Sequence, residues 1–587
     1  MFRLFNKTSK MERLLVIISF LFILLQVGLE LKIPDYMSDI TRLLQEPGTK
    51  TGDILTPGFK MIGLSLASFA ASIIVGYFAA RIAAGLTMRI RGEVFQQVTD
   101  YSTSEIQHFS VPSLVTRTTN DLTQIQMLIA MGLQVVIKGP VTAVWAITKI
   151  AGQNWQWTAV TGVAVFFLLV MLTLIMVFVR PKFAMVQSIT DNLNGITREN
   201  LIGIRVVRAY NAEKYQDAKF EGANNELTAV NLFAGRMMSM FSPVMTLVSS
   251  GLTLGVYWIG TFLIQDAVGM DKLTVFSNMV VFTSYAMQVV MGFILMTMIF
   301  FILPRALVSA QRINEVLDLQ PSIQFTDKEV ETTDVKGKID FRNVTFAYPD
   351  AKNPVLHDVN FSAIAGQTVA FIGSTGSGKS TILKLIPRLF EISKGSLKID
   401  NHDVKEYPQD ELNDIIGYIP QKPVLFSGTI RSNMEMGTSK AYPLDDEKIN
   451  RALEIAQAKS FVDEEPEGLD ANVAQGGTNF SGGQKQRLAI ARVIAREPEI
   501  LIFDDSFSAL DYQTDQKLRS ILKEELPETT KLIVAQRIST IMDADLIIVL
   551  EEGHVVGSGT HKDLLAKNQV YQEIAYSQLS KEELAHE

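Results

Sequence analysis

The chain has 587 residues, of which 47% are hydrophobic and 20% charged, with a formal net charge of −8 and no cysteine. This length is too great for one hydrophobic core and predicts several domains. The lack of cysteine excludes a disulfide framework and a thiolate metal site. The acidic balance, without any long basic run, argues against nucleic-acid binding.

The apolar residues are concentrated in the first half of the chain, where they form runs long enough to cross a bilayer as helices of about 20 residues. Six such runs lie near 14–33, 58–80, 132–153, 158–179, 241–264 and 278–303. A cleaved signal peptide is the alternative for the first run, but no small-residue cleavage site follows it. We therefore predict six transmembrane helices.

The connections between these runs alternate in length and charge. Residues 34–57 and 265–275 are short and slightly acidic, whereas 81–125 and 180–240 are long, polar and rich in arginine. The positive-inside rule places the long connections and both termini in the cytoplasm of a plasma-membrane protein. The long connections are expected to continue the membrane helices and to turn at coupling segments near 108–116 and 205–213. A solvated helical hairpin is the alternative for each.

The second half of the chain has the composition of a soluble protein, and short β-rich runs begin at Ile339. The predicted fold is a membrane α-helical domain of six long transmembrane helices plus a cytoplasmic α/β domain, which the glycine-rich loop over 373–380 marks as a P-loop nucleotide-binding domain. The predicted boundaries are a transmembrane domain over 1–318, a linker over 319–337, a nucleotide-binding domain over 338–575 and an acidic tail over 576–587.

A glycine-rich loop lies between an apolar strand, Thr368–Ile372, and a helical run that begins at Thr381. This strand–loop–helix context identifies a phosphate-binding loop, because backbone N–H groups and a helix start converge on the phosphates. Lys379 is expected to contact the β- and γ-phosphates of ATP, and Ser380 to coordinate Mg²⁺. The predicted nucleotide-binding residues of this loop are Gly373, Ser374, Thr375, Gly376, Ser377, Gly378, Lys379, Ser380 and Thr381.

Three further positions complete the predicted nucleotide site. Asp504, near the end of the buried strand Ile500–Asp505, is expected to hold the Mg²⁺ shell. Gln421 is placed to sense Mg²⁺ or water, with a surface loop glutamine as the alternative. Tyr348 precedes the phosphate loop and is predicted to stack on adenine, with a core tyrosine as the alternative.

The segment Phe480–Arg487, Phe-Ser-Gly-Gly-Gln-Lys-Gln-Arg, resembles the signature of the ATP-binding-cassette (ABC) exporters. The resemblance covers nearly the whole chain and implies a multidrug-type half-transporter of six spans plus one cassette. It implies ATP and Mg²⁺ as cofactors and two cassettes that dimerise head-to-tail. The signature residues Ser481, Gly482, Gly483 and Gln484 would then contact the ATP of the partner, and Asp511 would belong to the family's subunit-spanning loop.

Two positions depart from the family pattern. Asp505 stands where the family has a catalytic glutamate, and Gln536 stands where it has a histidine that contacts the γ-phosphate. Both departures affect the same ATP, so the chain is predicted to be the degenerate-site subunit of a heterodimeric bacterial exporter. A conservative exchange of acids with activity retained is the alternative.

Methionine and aromatic residues are abundant in the sixth run and suit a surface that repacks around apolar ligands. Polar groups at membrane depth normally face a cavity or a partner. The predicted substrate cavity therefore comprises Gln26, Glu30, Met287, Gln288 and Met291. Glu30 could attract a cationic amphiphile or pair with Lys149, and ordinary helix packing, lipid contact or snorkelling to the interface are the alternatives.

The predicted function is ATP-driven export of hydrophobic or amphipathic compounds by alternating access, with a second half-transporter as partner. Two alternatives stay open: a lipid or peptide exporter of the same architecture, and an ATP-sensing regulator of another membrane protein.

Overall fold

The computed structural model describes residues 1–44, 49–151, 154–268, 271–330, 335–349, 351–436 and 444–579. The chain divides into two compact units. The first comprises Met1–Thr99 and Pro112–Leu319, and the second comprises Asp100–Val111 and Gln320–Glu587.

The first unit consists of helices, and the segment between its two parts, which contains α5 (Thr103–Phe109), groups with the second unit. The helices are α1 (Phe2–Phe5), α2 (Lys10–Glu30), α3 (Ile33–Leu43), α4 (Thr51–Thr99), α5 (Thr103–Phe109), α6 (Val111–Thr118), α7 (Asn120–Ile150), α8 (Trp155–Ile202), α9 (Ile204–Ala209), α10 (Glu213–Ser239), α11 (Phe241–Asp266) and α12 (Asp271–Asp318).

Among the described residues, six helical segments are long and apolar enough to cross a membrane, which confirms the predicted number of spans. They are Lys10–Leu43, Thr51–Thr99, Val111–Ile150, Trp155–Val179, Glu213–Asp266 and Asp271–Asp318. Their outward faces expose large apolar side chains, such as Phe69, Phe166 and Trp258. Lipid chains can solvate such a surface, whereas water cannot.

Helices α7 and α12 approach each other closely at small residues. A Cβ placed on Gly292 would lie 2.9 Å from both the Gly139 carbonyl oxygen and the Ala143 Cβ. Close backbone approach at small residues is a common way to pack membrane helices. These two glycines therefore set the distance between the third and sixth spans.

Two lysines of α7 pair with acids of α2 and α3, in a pattern that differs from the Glu30–Lys149 pair that the sequence left open as one alternative. Lys138 Nζ lies 2.9 Å from Glu30 Oε1, and Lys149 Nζ lies 3.1 Å from Asp35 Oδ2. The Tyr285 hydroxyl donates to Asp35 Oδ1 at 2.5 Å. Lys138 and Lys149 lie about three turns apart on one face of α7, so the position of α7 along its axis decides which lysine reaches Glu30.

The second unit is an α/β domain. Its strands are β1 (Ile339–Phe346), β2 (Leu356–Ala363), β3 (Thr368–Gly373), β4 (Lys394–Ile399), β5 (His402–Asp403), β6 (Ile416–Ile419), β7 (Gly428–Thr429), β8 (Asn472–Val473), β9 (Ile500–Asp504), β10 (Thr530–Val534), β11 (Leu546–Glu551) and β12 (His554–Gly559). Its further helices are α13 (Lys379–Leu385), α14 (Gln409–Ile415), α15 (Ile430–Met434), α16 (Asp446–Ile455), α17 (Lys459–Asp463), α18 (Gly482–Ile494), α19 (Tyr512–Glu525), α20 (His561–Lys567) and α21 (Gln569–Gln578).

The main sheet has the order β12-β11-β3-β10-β9-β6, and a four-stranded sheet has the order β2-β1-β4-β5. Strands β11, β3, β10, β9 and β6 are parallel to one another. All residues of β9 and β10 are buried, as expected for the centre of a parallel sheet covered on both faces.

The second unit extends beyond the predicted nucleotide-binding domain at both ends. The Arg388 guanidinium lies 4.6 Å from the centre of the Phe325 ring, and the Val330 N–H donates to Glu411 Oε2 at 3.3 Å. The first part of the predicted linker therefore packs on the nucleotide-binding unit. Helix α21 runs to Gln578, three residues past the predicted domain end, and residues 580–587 of the predicted tail lie outside the described residues.

A buried carboxyl group lies where the chain enters β1. Asp400 is 5% exposed, and its Oδ1 accepts the N–H of Lys338 at 2.7 Å. Burial raises the pKa of Asp400 to about 6, and Glu499 nearby adds to the effect. Because the pKa in the folded chain exceeds the ordinary value, the protonated carboxyl stabilises the fold.

We predict that Asp400→Asn raises the apparent unfolding temperature of the purified full chain above pH 7 but not at pH 4. The stabilisation from the protonated group is complete below about pH 4 and is lost as the pH rises through 6, a loss of about 1–3 kcal/mol. Asparagine keeps an acceptor and removes the charge. Asp358→Asn is the matched control, because Asp358 has the same left-handed backbone but is exposed. Parallel pH profiles for wild type and Asp400→Asn would contradict this account.

Candidate nucleotide-binding site

The predicted site residues meet at one edge of the main sheet. Val534 of β10 pairs with Phe371 of β3 and with Asp504 of β9, and Ile419 of β6 pairs with Phe503. Parallel strands in register end together, so the segments that follow them lie side by side. Ligands of open α/β sheets bind outside such carboxyl ends.

The phosphate loop follows β3 and leads into α13. Gly376 and Gly378 have left-handed backbones, with φ of 86° and 97°, and a Cβ on Gly378 would lie 2.6 Å from Leu356 Cδ2. Glycine is therefore required at position 378 by both backbone and packing. Ser374, Thr375 and Gly376 are exposed along the loop, whereas Ser377 is buried beneath it.

Lys379 folds back over this loop. Its Nζ donates to the carbonyl oxygens of Gly373 at 2.8 Å and Ser374 at 2.7 Å. Burial lowers the pKa of Lys379, and the carboxylate of Asp505 opposes that effect. The ammonium group is therefore held among phosphate-loop carbonyls, in the position from which a lysine reaches β- and γ-phosphates.

Asp504 is 3% exposed and receives two hydroxyl donors. The Ser380 hydroxyl donates to Asp504 Oδ1 at 2.5 Å, and the Tyr418 hydroxyl donates to Oδ2 at 3.0 Å. Mg²⁺ prefers hard oxygen ligands such as carboxylates, together with water and phosphate oxygens. The Ser380 hydroxyl, the Asp504 carboxylate and the amide oxygen of Gln421 are a donor set that fits this ion.

Asp505 is turned away from Asp504 by a left-handed backbone, with φ of 52°. Its Oδ2 accepts the side-chain amide of Gln421 at 3.0 Å and that of Gln536 at 2.7 Å. Burial raises the pKa of the Asp505 carboxyl, and these two amide donors oppose the rise. Both unusual positions of the sequence, Asp505 and Gln536, are thus in direct contact.

Tyr348 lies beside α13. Its ring packs edge-on against Phe346 and Phe390, with ring centres 4.9 Å and 5.1 Å apart, and its hydroxyl is 3.0 Å from Thr381 Oγ1. The ring is half-buried, so it contributes to the core and is also next to the phosphate loop. Adenine stacking stays a prediction.

The signature residues form the start of α18. The Gln484 N–H donates to the Ser481 hydroxyl at 3.3 Å, and the Ser481 N–H donates to Gln484 Oε1 at 2.9 Å. This is a capping box, so the signature is a helix cap in this chain, and Gly482 and Gly483 lie in its first turn. Asp511 caps α19 by accepting the Thr514 N–H at 2.9 Å.

Sequence reasoning missed two residues of the site. Tyr418 lies in β6, three residues before Gln421. The feature that could have revealed it is its polar ring, in a strand that adjoins β9. Gln578 of α21 donates to the Gln536 carbonyl oxygen at 2.8 Å and accepts the Ile538 N–H at 2.8 Å. No local signal marks Gln578, because it contacts residues about forty positions earlier.

Family models for the ABC transporter transmembrane region and for the ABC transporter cassette match residues 16–307 and 356–508. An uncharacterized ABC transporter ATP-binding protein of Mycobacterium tuberculosis is 38% identical over 547 residues, which cover 92% of this chain and 93% of that protein. This chain belongs to the ABC transporters. It is an ATP-driven exporter half-transporter with six spans and one ATP-binding cassette.

Other relatives of this ABC transporter differ in what their names describe. YfiB of Bacillus subtilis, also an uncharacterized ABC transporter ATP-binding protein, is 35% identical, and the match covers 89% of this chain and 90% of YfiB. An ATP-dependent lipid A-core flippase of Pseudomonas fluorescens is 31% identical, with 85% and 82% covered. The structure of a bacterial Atm1-family ABC exporter with ATP bound has a TM-score of 0.79 at 23% identity, covering 96% of this chain and 98% of that one. That last likeness concerns the fold.

We predict that Lys379→Ala lowers the ATP affinity of the full chain by about 10- to 100-fold, because a charge-assisted contact to phosphate contributes about 1.5–3 kcal/mol. Equilibrium binding of ATP to the purified chain measures the effect. Lys384→Ala is the matched control, since it removes the same charge from the last turn of the same helix. Equal affinities for wild type and Lys379→Ala would contradict the assignment.

Proposed function

We propose that this ABC transporter exports hydrophobic or amphipathic compounds as one half of a heterodimer, and that its own composite ATP site hydrolyses slowly. The nucleotide-binding unit and both termini are cytoplasmic in this proposal, because the long connections carry the basic residues. The observation that carries it is the contact of Asp505 with Gln421 and Gln536.

A catalytic carboxylate must reach the attacking water. Aspartate is one methylene shorter than glutamate, a retraction of roughly 1.5 Å, and misplacement on this scale costs about 10²-fold in rate. In this chain Asp505 Oδ2 is also occupied by two amide N–H groups. Glutamine at 536 donates a hydrogen bond but does not titrate as histidine does. The site is therefore suited to hold ATP and poorly suited to cleave it.

A partner subunit follows from the half-transporter architecture and agrees with an exposed apolar surface around α9. Leu201, Ile202, Val206 and Tyr210 are between 61% and 80% exposed. They lie in the long basic connection, outside the predicted span, where lipid cannot cover them. Such a patch is typical of a protein–protein contact. A partner that carries the usual glutamate and histidine would supply a second ATP site that is able to hydrolyse ATP.

The proposed substrate surface is a cavity of about 410 Å³ between α11 and α12. It is lined by Ser249, Ser250, Thr253, Leu254, Tyr257 and Met287. Met287 and Met291 are 40% and 52% exposed. Hydroxyl groups beside flexible methionines suit an amphipathic ligand that also accepts hydrogen bonds.

The other predicted cavity residues have different surroundings. Gln26 is buried and donates to Glu30 Oε1 at 2.9 Å, and Lys138 balances the charge of Glu30. Gln288 is half-buried. Because Glu30 is paired, its charge does not favour cationic substrates over neutral ones.

A lipid is the second candidate substrate. The Pseudomonas fluorescens relative is named as a lipid A-core flippase, and lipids are amphipathic molecules that could enter the same cavity from the bilayer. Substrate-stimulated ATP hydrolysis in vesicles with and without a candidate lipid separates it from drug-like amphiphiles.

We predict that Asp505→Glu combined with Gln536→His raises ATP hydrolysis by the full chain by about 10- to 100-fold. The longer acid and the titratable imidazole restore the two groups that the site lacks. Steady-state phosphate release by the purified, reconstituted chain measures the rate.

The control for this experiment is Asp505→Asn, which keeps the side-chain length. If Asp505 contributes little to catalysis, the hydrolysis rate of the Asp505→Asn chain stays within about threefold of wild type. A fall of about 100-fold, or fast substrate-stimulated hydrolysis by the wild-type chain alone, would contradict the slow-site proposal. Faster hydrolysis when a partner is co-purified would support the heterodimer.

We predict that Met287→Ala with Met291→Ala changes the relative transport of different substrates more than it changes basal ATP hydrolysis. The two residues lie about one turn apart on one helix face. Met127→Ala with Met131→Ala is the matched control, with the same residue type, spacing and exposure class on α7. Resistance profiles of cells that express each variant measure the effect, and identical profiles for both pairs would favour simple lipid contact.

A further inference from the structure

Tyr418 lies in β6, a strand that ends at Ile419, and its side chain is half-buried at the edge of the main sheet. Its hydroxyl donates to Asp504 Oδ2 at 3.0 Å. The other carboxylate oxygen, Oδ1, accepts the Ser380 hydroxyl at 2.5 Å. The two hydroxyls therefore hold the carboxylate from its two oxygens.

This arrangement restricts rotation of the Asp504 side chain. A carboxylate has two equivalent oxygens and about four lone-pair positions, so a single donor leaves its plane free to turn. Donors on both oxygens define the plane and leave lone pairs that face away from them. Ser380 would use its oxygen as a ligand of Mg²⁺, whereas Tyr418 has no such second task.

We propose that Tyr418 is a positioning residue of the Mg²⁺ site, which orients Asp504 without touching the ion. Groups that orient a metal ligand change metal affinity by about 10- to 100-fold when they are removed. The inference needs only the binding of ATP with Mg²⁺ by the cassette, and it does not depend on the slow hydrolysis proposed above.

The position of Tyr418 also connects the two acids. Gln421, three residues further along, donates to Asp505 at 3.0 Å, so one short segment contacts both Asp504 and Asp505. A variant at Tyr418 therefore tests the Asp504 side of this segment alone, because Gln421 stays in place.

The experiment measures ATP binding to the full chain over a range of free Mg²⁺ concentrations and, separately, with the Mg²⁺ chelated. Mg²⁺ should enhance ATP binding. We expect Tyr418→Phe to raise the Mg²⁺ concentration at which this enhancement is half-maximal by about 10-fold. The affinity for Mg²⁺-free ATP should stay within about twofold. A purely structural loss would change both measurements.

Tyr407→Phe is the matched control. Tyr407 is buried in the core cluster against which Tyr418 packs, and its hydroxyl donates to the Ile399 carbonyl oxygen at 3.0 Å. This variant also loses a hydrogen-bonded tyrosine hydroxyl, but its Mg²⁺ dependence should match wild type.

A double-mutant cycle completes the test. With Asp504→Asn in place, Tyr418→Phe should add no further shift, because its effect passes through the carboxylate. The proposal is overturned if Tyr418→Phe leaves the Mg²⁺ dependence unchanged, if it weakens Mg²⁺-free binding equally, or if its effect persists in the Asp504→Asn chain. Failure of the slow-site proposal would appear in hydrolysis rates and would leave this result intact.

Discussion

The parallel pairing of β9 with β6 and β10 is the constraint on which the nucleotide site depends. It brings the carboxyl ends of these strands to one edge, and the chain then turns sharply at Asp505, with φ of 52°. A non-glycine residue in this region costs of order 1–3 kcal/mol. The turn is held by the Asp505 N–H, which donates to the Val534 carbonyl oxygen at 3.1 Å, and by Ser506, whose hydroxyl donates to the Ile419 carbonyl oxygen at 2.9 Å.

This turn separates two neighbouring acids. Asp504 faces the hydroxyls of Ser380 and Tyr418, whereas Asp505 faces the amides of Gln421 and Gln536. One acid thus belongs to the part of the site that holds the cation, and the other to the part that would activate water. The proposed slow hydrolysis with retained ATP binding follows from changes confined to the second group.

In the membrane unit, the corresponding constraint is that a charged side chain among apolar helices needs a partner of opposite charge. An unpaired charge among apolar helices is costly, and a paired one is tolerated when its geometry is good. Lys138 and Lys149 of α7 pair with Glu30 and Asp35, while Gly139 and Gly292 bring α7 against α12. Hydroxyl side chains and Met287 line the cavity between α11 and α12.

Much of this protein could be predicted from sequence because the signals are local. Long apolar runs specify membrane helices, a glycine-rich loop between a strand and a helix specifies phosphate binding, and the identities of Asp505 and Gln536 are visible directly. Each of these depends on neighbours along the chain. Helices α4 and α8 continue past the apolar runs into the long connections.

The tertiary structure alone decided which distant side chains meet. Lys138 rather than Lys149 reaches Glu30, since the position of α7 along its axis is set by packing over the whole span. Tyr418 reaches Asp504 across 86 positions of sequence, and Gln536 reaches Asp505 across 31, because strand register determines these contacts. Composition and spacing determined which groups this protein has, and the pairing of strands and helices determined which of them act together.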